Sequence, residues 1–297
     1  MRTLVGAGVA VPAALGAAGA FSLATALQHR VAAQTPDAQG LRPREVASFV
    51  RATLAHRVWM ASMVADVVGL SLHVLALRAG ALLVVQTLLV TGVVFALVLN
   101  RLLDHRSLSG FELAWSIILI VALAGFLYGA GLSDSSPAPP DPAPASLALA
   151  LGGVFVLGCG WVARAQKGSV APAVLGTAAG VAFAGTAALI KECLGLLGRG
   201  PLSLLTRWPL YALLAVGLIG LLLNQLAFQA GPLRASLPAL TIADVLASIG
   251  IGVWVFDEPI RHSAPALGLQ LLGLVIMSAA AFTLIRRTNE EPRLLPG

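Results

Sequence analysis

This sequence has few charges. Of 297 residues, 11% are Asp, Glu, Lys or Arg, where a soluble domain carries about 25%. So few charges cannot cover a surface that faces water, which excludes an ordinary soluble protein. Cysteine is nearly absent as well. Cys159 and Cys193, in or beside apolar segments, supply neither a disulfide framework nor the spacing of a metal site. No set of nucleophile, base and orienting residue is visible, so an enzyme is not expected. No phosphate-binding glycine loop ending in lysine occurs, so ATP is not expected to drive the protein, and no cofactor is implied. The net charge of +6 comes from basic residues at the ends of apolar runs. They form no patch interleaved with aromatics, so nucleic acid is not the partner.

What the chain has instead is length of apolar sequence. Hydrophobic residues make up 58%, in runs near the roughly 20 residues that span a bilayer as a helix. The runs are continuous and rich in Leu, Ala, Val and Gly, without the short alternation of a β-barrel. They predict an all-α polytopic membrane protein, with the lipid bilayer as its first partner. Nine segments stand out, at 4–28, 58–78, 80–100, 111–132, 146–164, 171–191, 208–230, 233–255 and 264–285. The first exceeds a signal-peptide core and is followed, not preceded, by its arginines. From about Arg44 the polar stretch 29–57 predicts a short interfacial helix. The segment "SDSSPAPPDPAPA" (133–145) reads as a flexible, proline-rich external connector.

Basic residues set the orientation. Thirteen of the 19 Lys and Arg residues fall on the side reached after segments one, three, five, seven and nine. That side is predicted to be cytoplasmic. The N-terminus is then outside a cell membrane and the C-terminal tail inside.

Two stretches are nearly alike: "LHVLALRAG" (72–80) and "LNQLAFQAG" (223–231). At the same offset of 151 Gly69 meets Gly220 and His73 meets Asn224. Further upstream, at an offset of 161, "AAG" at 17–19 meets "AAG" at 178–180, Thr25 meets Thr186 and Arg30 meets Lys191. Segments one to four therefore pair with six to nine, and segment five lies between. Four crossings plus one turn the second copy over, which predicts an inverted repeat. The predicted units are a first repeat over 1–132, the external loop and connecting helix over 133–170, a second repeat over 171–286 and a tail over 287–297. Inverted repeats commonly enclose a midplane site open alternately to the two sides.

Ionisable and amide groups at membrane depth mark candidate sites. Asp66 and His73 share a face of segment two. Thr241, Asp244 and Ser248 form a stripe on segment eight, just after Pro238, which removes a backbone donor. Gln86, Asn224 and Gln225 complete the candidate substrate-binding set. Each has a structural alternative, an interhelical hydrogen bond. Gly176, Gly180 and Ala184 make a small-residue face on segment six, expected to serve helix packing. Lys191, Glu192, Asp257 and Glu258 fall at predicted helix ends, where they are expected to be solvated or paired.

The helix, tight turn and helix at 72–100 and 223–255, with "AGPLRASLPAL" (230–240) and "FDEPI" (256–260), resemble the drug/metabolite transporter superfamily of the EamA-like kind. The likeness covers about residues 10–287. The nine-segment layout, external N-terminus and basic first loop resemble its NIPA-like magnesium-transporter branch. The sequence departs from that branch where Gly69 stands at an acidic position, with Asp66 about one turn away, and where Gly80 and Gln86 replace prolines. The second half keeps Pro232 and Pro238. The resemblance implies a secondary, alternating-access carrier of a small metabolite or drug. One alternative is a divalent cation (magnesium) transporter with Asp66 and Asp244 as metal ligands. Another is a non-transporting membrane scaffold. A monomer and a homodimer are both left open.

Overall fold

The structure, a computed structural model, describes residues 2–34, 57–103, 107–131, 142–166, 170–230 and 233–290. All regular structure among them is helical. In chain order the helices are α1 (Arg2–Gln34), α2 (Arg57–Ala79), α3 (Leu82–Leu89), α4 (Gly92–Leu103), α5 (Gly110–Ala130), α6 (Pro142–Ala165), α7 (Val170–Leu197), α8 (Pro201–Leu205), α9 (Trp208–Ala230), α10 (Leu233–Val255) and α11 (Ala264–Glu290). Eight segments are long and apolar enough to cross a bilayer, α3 and α4 together making one of them. α9 adds a shorter apolar run, Trp208–Asn224. Many large apolar side chains point outward, such as Val64, Leu157 and Leu271, each more than 60% exposed. In water such a surface would aggregate; in lipid it is solvated. The protein is an all-α, multi-pass membrane protein.

The predicted segments match these helices to within a few residues, with three differences. Segment three is not one helix. At Val90 and Thr91 it tightens to bonds spanning three residues, Val90 N–H to the Thr87 carbonyl and Thr91 N–H to that of Leu88. The Thr87 and Thr91 hydroxyls donate to carbonyls of the preceding turn, those of Leu83 and Leu88. Such back-bonding competes with the regular ladder, and Gly92 follows at once. Second, α1 and α7 each run six residues past their predicted ends, so Lys191 and Glu192 lie inside α7. Third, the short α8 has no counterpart among the predicted runs. The interfacial helix expected from Arg44, most of the proline-rich connector and the C-terminal tail after Glu290 lie outside the described residues.

Helix packing follows the small residues. α1 packs along α2 and against α3 and α4; α7 packs along α9 and α10. A Cβ built on Gly69 of α2 would stand 2.7 Å from the Phe21 ring of α1, and one on Gly92 of α4 3.2 Å from the Ser22 hydroxyl. In the second half a Cβ on Gly176 or Gly180 of α7 would run into the backbone carbonyls of Ser236 and Leu240 on α10. Only glycine lets the helix backbones come so close. α5 and α11 pack together, and α6 rests on α7 with little of its surface covered. One aliphatic core joins the two halves, including Leu77, Leu82, Leu119, Ile190, Met277 and Leu284.

Candidate functional site

A buried polar cluster that joins distant parts of the chain sits where α3 begins. A helix start leaves amides without partners, and Ala81, the residue before α3, has no side chain to cap them. The cap comes from Glu258, 176 residues further along the chain. Its Oε1 accepts from Leu82 N–H at 2.5 Å and its Oε2 from Leu83 N–H at 2.9 Å. The Lys191 ammonium of α7 lies 2.5 Å from Oε1, and both side chains are 2% exposed. Lys191 also stands over the Phe256 ring, 4.8 Å from its centre. A negative carboxylate at a helix start is favoured by the helix dipole.

The sequence around Glu258 aims it inward. Asp257 takes φ +48°, the left-handed region, which Asp tolerates better than most residues. Glu258 N–H then bonds back to the Gly252 carbonyl at 3.0 Å, six positions earlier, closing the end of α10 in a wide turn. Pro259 follows and cannot continue the helix. Gly252 leaves the space: a Cβ there would stand 2.6 Å from Glu258 Oε2. The next residues tie the same loop to α5, through Arg261 N–H to the Ala130 carbonyl at 3.1 Å and the Gln270 amide to Gly129 at 3.1 Å. The expectation for Lys191 and Glu258 is thus corrected. They are paired, but buried between helices and not solvated at helix ends. Asp257 is exposed, and Glu192 is half-buried.

At the other end of α5, Glu112 is fully buried. It forms a capping box with Ser109 and accepts from Arg101 of α4. This acid closes on its own half of the chain, whereas Glu258 closes on the other half.

The eight predicted site residues fall into three groups. His73 and Gln86 are brought together. Both are buried, and the Gln86 amide nitrogen lies 3.3 Å from His73 Nε2, as for an amide donating to an unprotonated ring nitrogen. Phe21 of α1 meets the same imidazole edge to face at 6.2 Å. Asp244 and Ser248 share a face of α10. Asp244 Oδ1 and Ser248 Oγ are buried without a hydrogen-bond partner among the described residues, as is Asn224 Oδ1 on α9. The remaining three are less informative. Thr241 gives its hydroxyl to the Leu237 carbonyl of its own helix at 2.9 Å. Asp66 is half-buried in α2 and has an interaction partner. The Gln225 side chain lies outside the described residues.

Asp66 and Asp244 stand on helices that share no extended packing. Among the described residues no group of three or more His, Cys, Asp and Glu side chains is arranged to hold a metal. None of the seven predicted site residues with described side chains lines the large cavity, which has a volume of about 990 Å³ and lies beside α7, walled by α6 and α9. The described interface between the halves is filled by the aliphatic core, with these polar groups buried around it singly or in pairs.

Sequence comparison supplies one relative. An uncharacterized protein of Corynebacterium glutamicum is 30% identical over 289 residues, covering 96% of both chains. No family profile matches the chain, and no solved structure matches it significantly.

Proposed function

The chain belongs to one family with the uncharacterized Corynebacterium glutamicum protein, and we propose that it is a secondary transporter of the cell membrane, of the drug/metabolite kind, moving a small solute by alternating access. The observation that carries this reading is a packing device that occurs twice. Gly69 of α2 is covered by Phe21 of α1; Gly220 of α9, its match at offset 151, is covered by Phe183 of α7, 3.0 Å from where a Cβ would stand. In each half the first helix packs on the second and third, and the two fourth helices, α5 and α11, pack on each other. A chain with an odd connecting helix between two such units supports an inverted repeat. An inverted repeat gives a protein two arrangements of similar energy.

Glu258 supports the rest. It belongs to the second half and caps a helix of the first, so it ties the halves together at one end. With the N-terminus outside, that end is external. We read this conformation as closed to the outside. Opening it requires Glu258 to leave the start of α3. The candidates for solute contact are the pair His73 and Gln86, with Asn224, the repeat counterpart of His73, and the pair Asp244 and Ser248. Buried polar atoms without partners are costly to keep, and a bound solute would supply the missing bonds.

The test is uptake into proteoliposomes by the native chain and by Asp66→Asn and Asp244→Asn. Loss of uptake in Asp244→Asn, with a folded protein, is the expected result. Unchanged uptake in both variants removes the acids from the mechanism, and uptake of no solute from a broad panel favours a scaffold.

A further inference from the structure

The large cavity takes no part in that reading, and its chemistry points elsewhere. α6 and α9 both pack on α7 but share no extended contact with each other. The space between them is a cleft of about 990 Å³, left unclosed where the two helices do not meet, and its α6 and α7 walls belong to helices long enough to cross a bilayer. Pockets for small molecules run ~300–1,000 Å³, so this one is large. Its α6 wall runs from Ala145 to Arg164, about 29 Å at the rise of a helix, which matches the ~30 Å hydrocarbon core of a bilayer. The walls are almost wholly apolar. Glycines such as Gly153 and Gly160 meet nothing within 4 Å, so the cleft is open and not a site of tight helix packing.

One carboxylate faces this apolar space. Glu192 lines the cleft near the C-terminal end of α7, at the same mouth as Trp208 and Phe256. It is half-buried and has no hydrogen-bond or ion-pair partner among the described residues. Its neighbour Lys191 is committed to Glu258, and Arg164 lies at the far mouth, near the other end of the span. Tryptophan marks the headgroup level of a membrane, so Glu192 sits where lipid headgroups sit. An anion there, above a hydrocarbon-lined cleft, selects an amphiphile with a cationic head.

We propose that the cleft binds a membrane phospholipid with an ammonium headgroup, its amine at Glu192 and an acyl chain between α6 and α9. The bilayer is the favoured source because the cleft opens to acyl chains along its length and has the bilayer's own thickness. The site is separate from the buried polar pairs, and the proposal stands or falls independently of transport.

The experiment is native mass spectrometry of the purified full-length protein, titrated with phosphatidylethanolamine or phosphatidylglycerol. A charge-assisted hydrogen bond corresponds to about a tenfold preference or more, so the native chain should favour phosphatidylethanolamine by that factor. Glu192→Gln should bind both lipids alike, and Glu192→Asp should restore part of the preference. Gly153→Leu, which meets no neighbour and fills the cleft, should lose phosphatidylethanolamine without loss of thermal stability. Equal binding of the two lipids by the native chain overturns the proposal, as does a preference that survives Glu192→Gln. Bound lipid unchanged in Gly153→Leu overturns the location. Dodecylammonium serves as a soluble amine: binding of it that depends on Glu192, without binding of phosphatidylethanolamine, overturns the lipid as occupant.

Discussion

Glu258 meets three donors with two oxygens, and this arithmetic decides how its loss is felt. A buried ion pair alone is weak evidence of stability, since desolvating both charges offsets their attraction. Here two main-chain amides at a helix start join the ammonium, so the carboxylate is nearly saturated. Glu258→Ala leaves Lys191 charged, buried and alone, together with two uncapped amides. Removing one member of a buried pair costs ~3–5 kcal/mol. We expect that loss in Glu258→Ala, and a smaller one in the double variant Lys191→Met, Glu258→Ala. The measurement is thermal or denaturant unfolding in detergent as a double-mutant cycle; additive losses would mean that the two groups do not interact. Neither role was legible in the sequence. The predicted segment stops at Lys191 because the apolar run meets a charge there, yet α7 continues through Cys193 and Leu197. No spacing rule links positions 67 residues apart, and the left-handed turn at Asp257 that joins them leaves no mark beyond the proline that follows it. His73 and Gln86 were legible one by one, as polar residues in apolar runs. Their contact was not, because it depends on the reversal at Gly80.

At the level of helices, the glycines divide into those that hold backbones together and those that do not. Gly176 and Gly180 have carbonyls of α10 where a methyl group would go. Gly180→Ala must push α7 and α10 apart, and overpacking of this kind costs ~1–3 kcal/mol. Gly153→Ala on α6 meets open space and, with the better helix propensity of alanine, should be neutral or stabilising by ~0.5–1 kcal/mol. Melting of both variants in one detergent checks the contrast; equal destabilisation would mean that α6 packs against something at that position. The small-residue stripe on α7 was readable as a packing face because its spacing of four returns to one side of a helix. The break within segment three was not readable. Leu82–Leu99 is apolar apart from Gln86, Thr87 and Thr91 and has no proline, and the disturbance comes from threonine hydroxyls turning to carbonyls of their own helix.

For the whole molecule the two carboxylate caps make the decisive asymmetry. Glu112 caps the fourth helix of its own half, while Glu258, which follows the third helix of the second half, caps a helix of the first. The two halves of the chain thus hold these ends differently, an asymmetry that the proposed carrier, closed on one side, would require. If the Glu258 contact is what shuts that side, weakening it should open it. Ala81 lies at the seam and is 7% exposed, whereas Pro259 in the same loop region is exposed. With Cys159 and Cys193 replaced by serine, Ala81→Cys should react slowly with a membrane-impermeant thiol reagent and Pro259→Cys quickly. Adding Glu258→Gln should raise the Ala81→Cys rate by about tenfold, the change expected if the closed arrangement loses ~1.4 kcal/mol relative to the open one. The Pro259→Cys rate should not move. Under the proposed transport function the same substitution should also alter uptake, because a carrier held open to one side cannot complete its cycle. An Ala81→Cys rate that equals the Pro259→Cys rate in the native background would mean that this end is not shut. A rate unaffected by Glu258→Gln would mean that the aliphatic core around Leu82 and Ile190, and not the carboxylate, keeps the halves together.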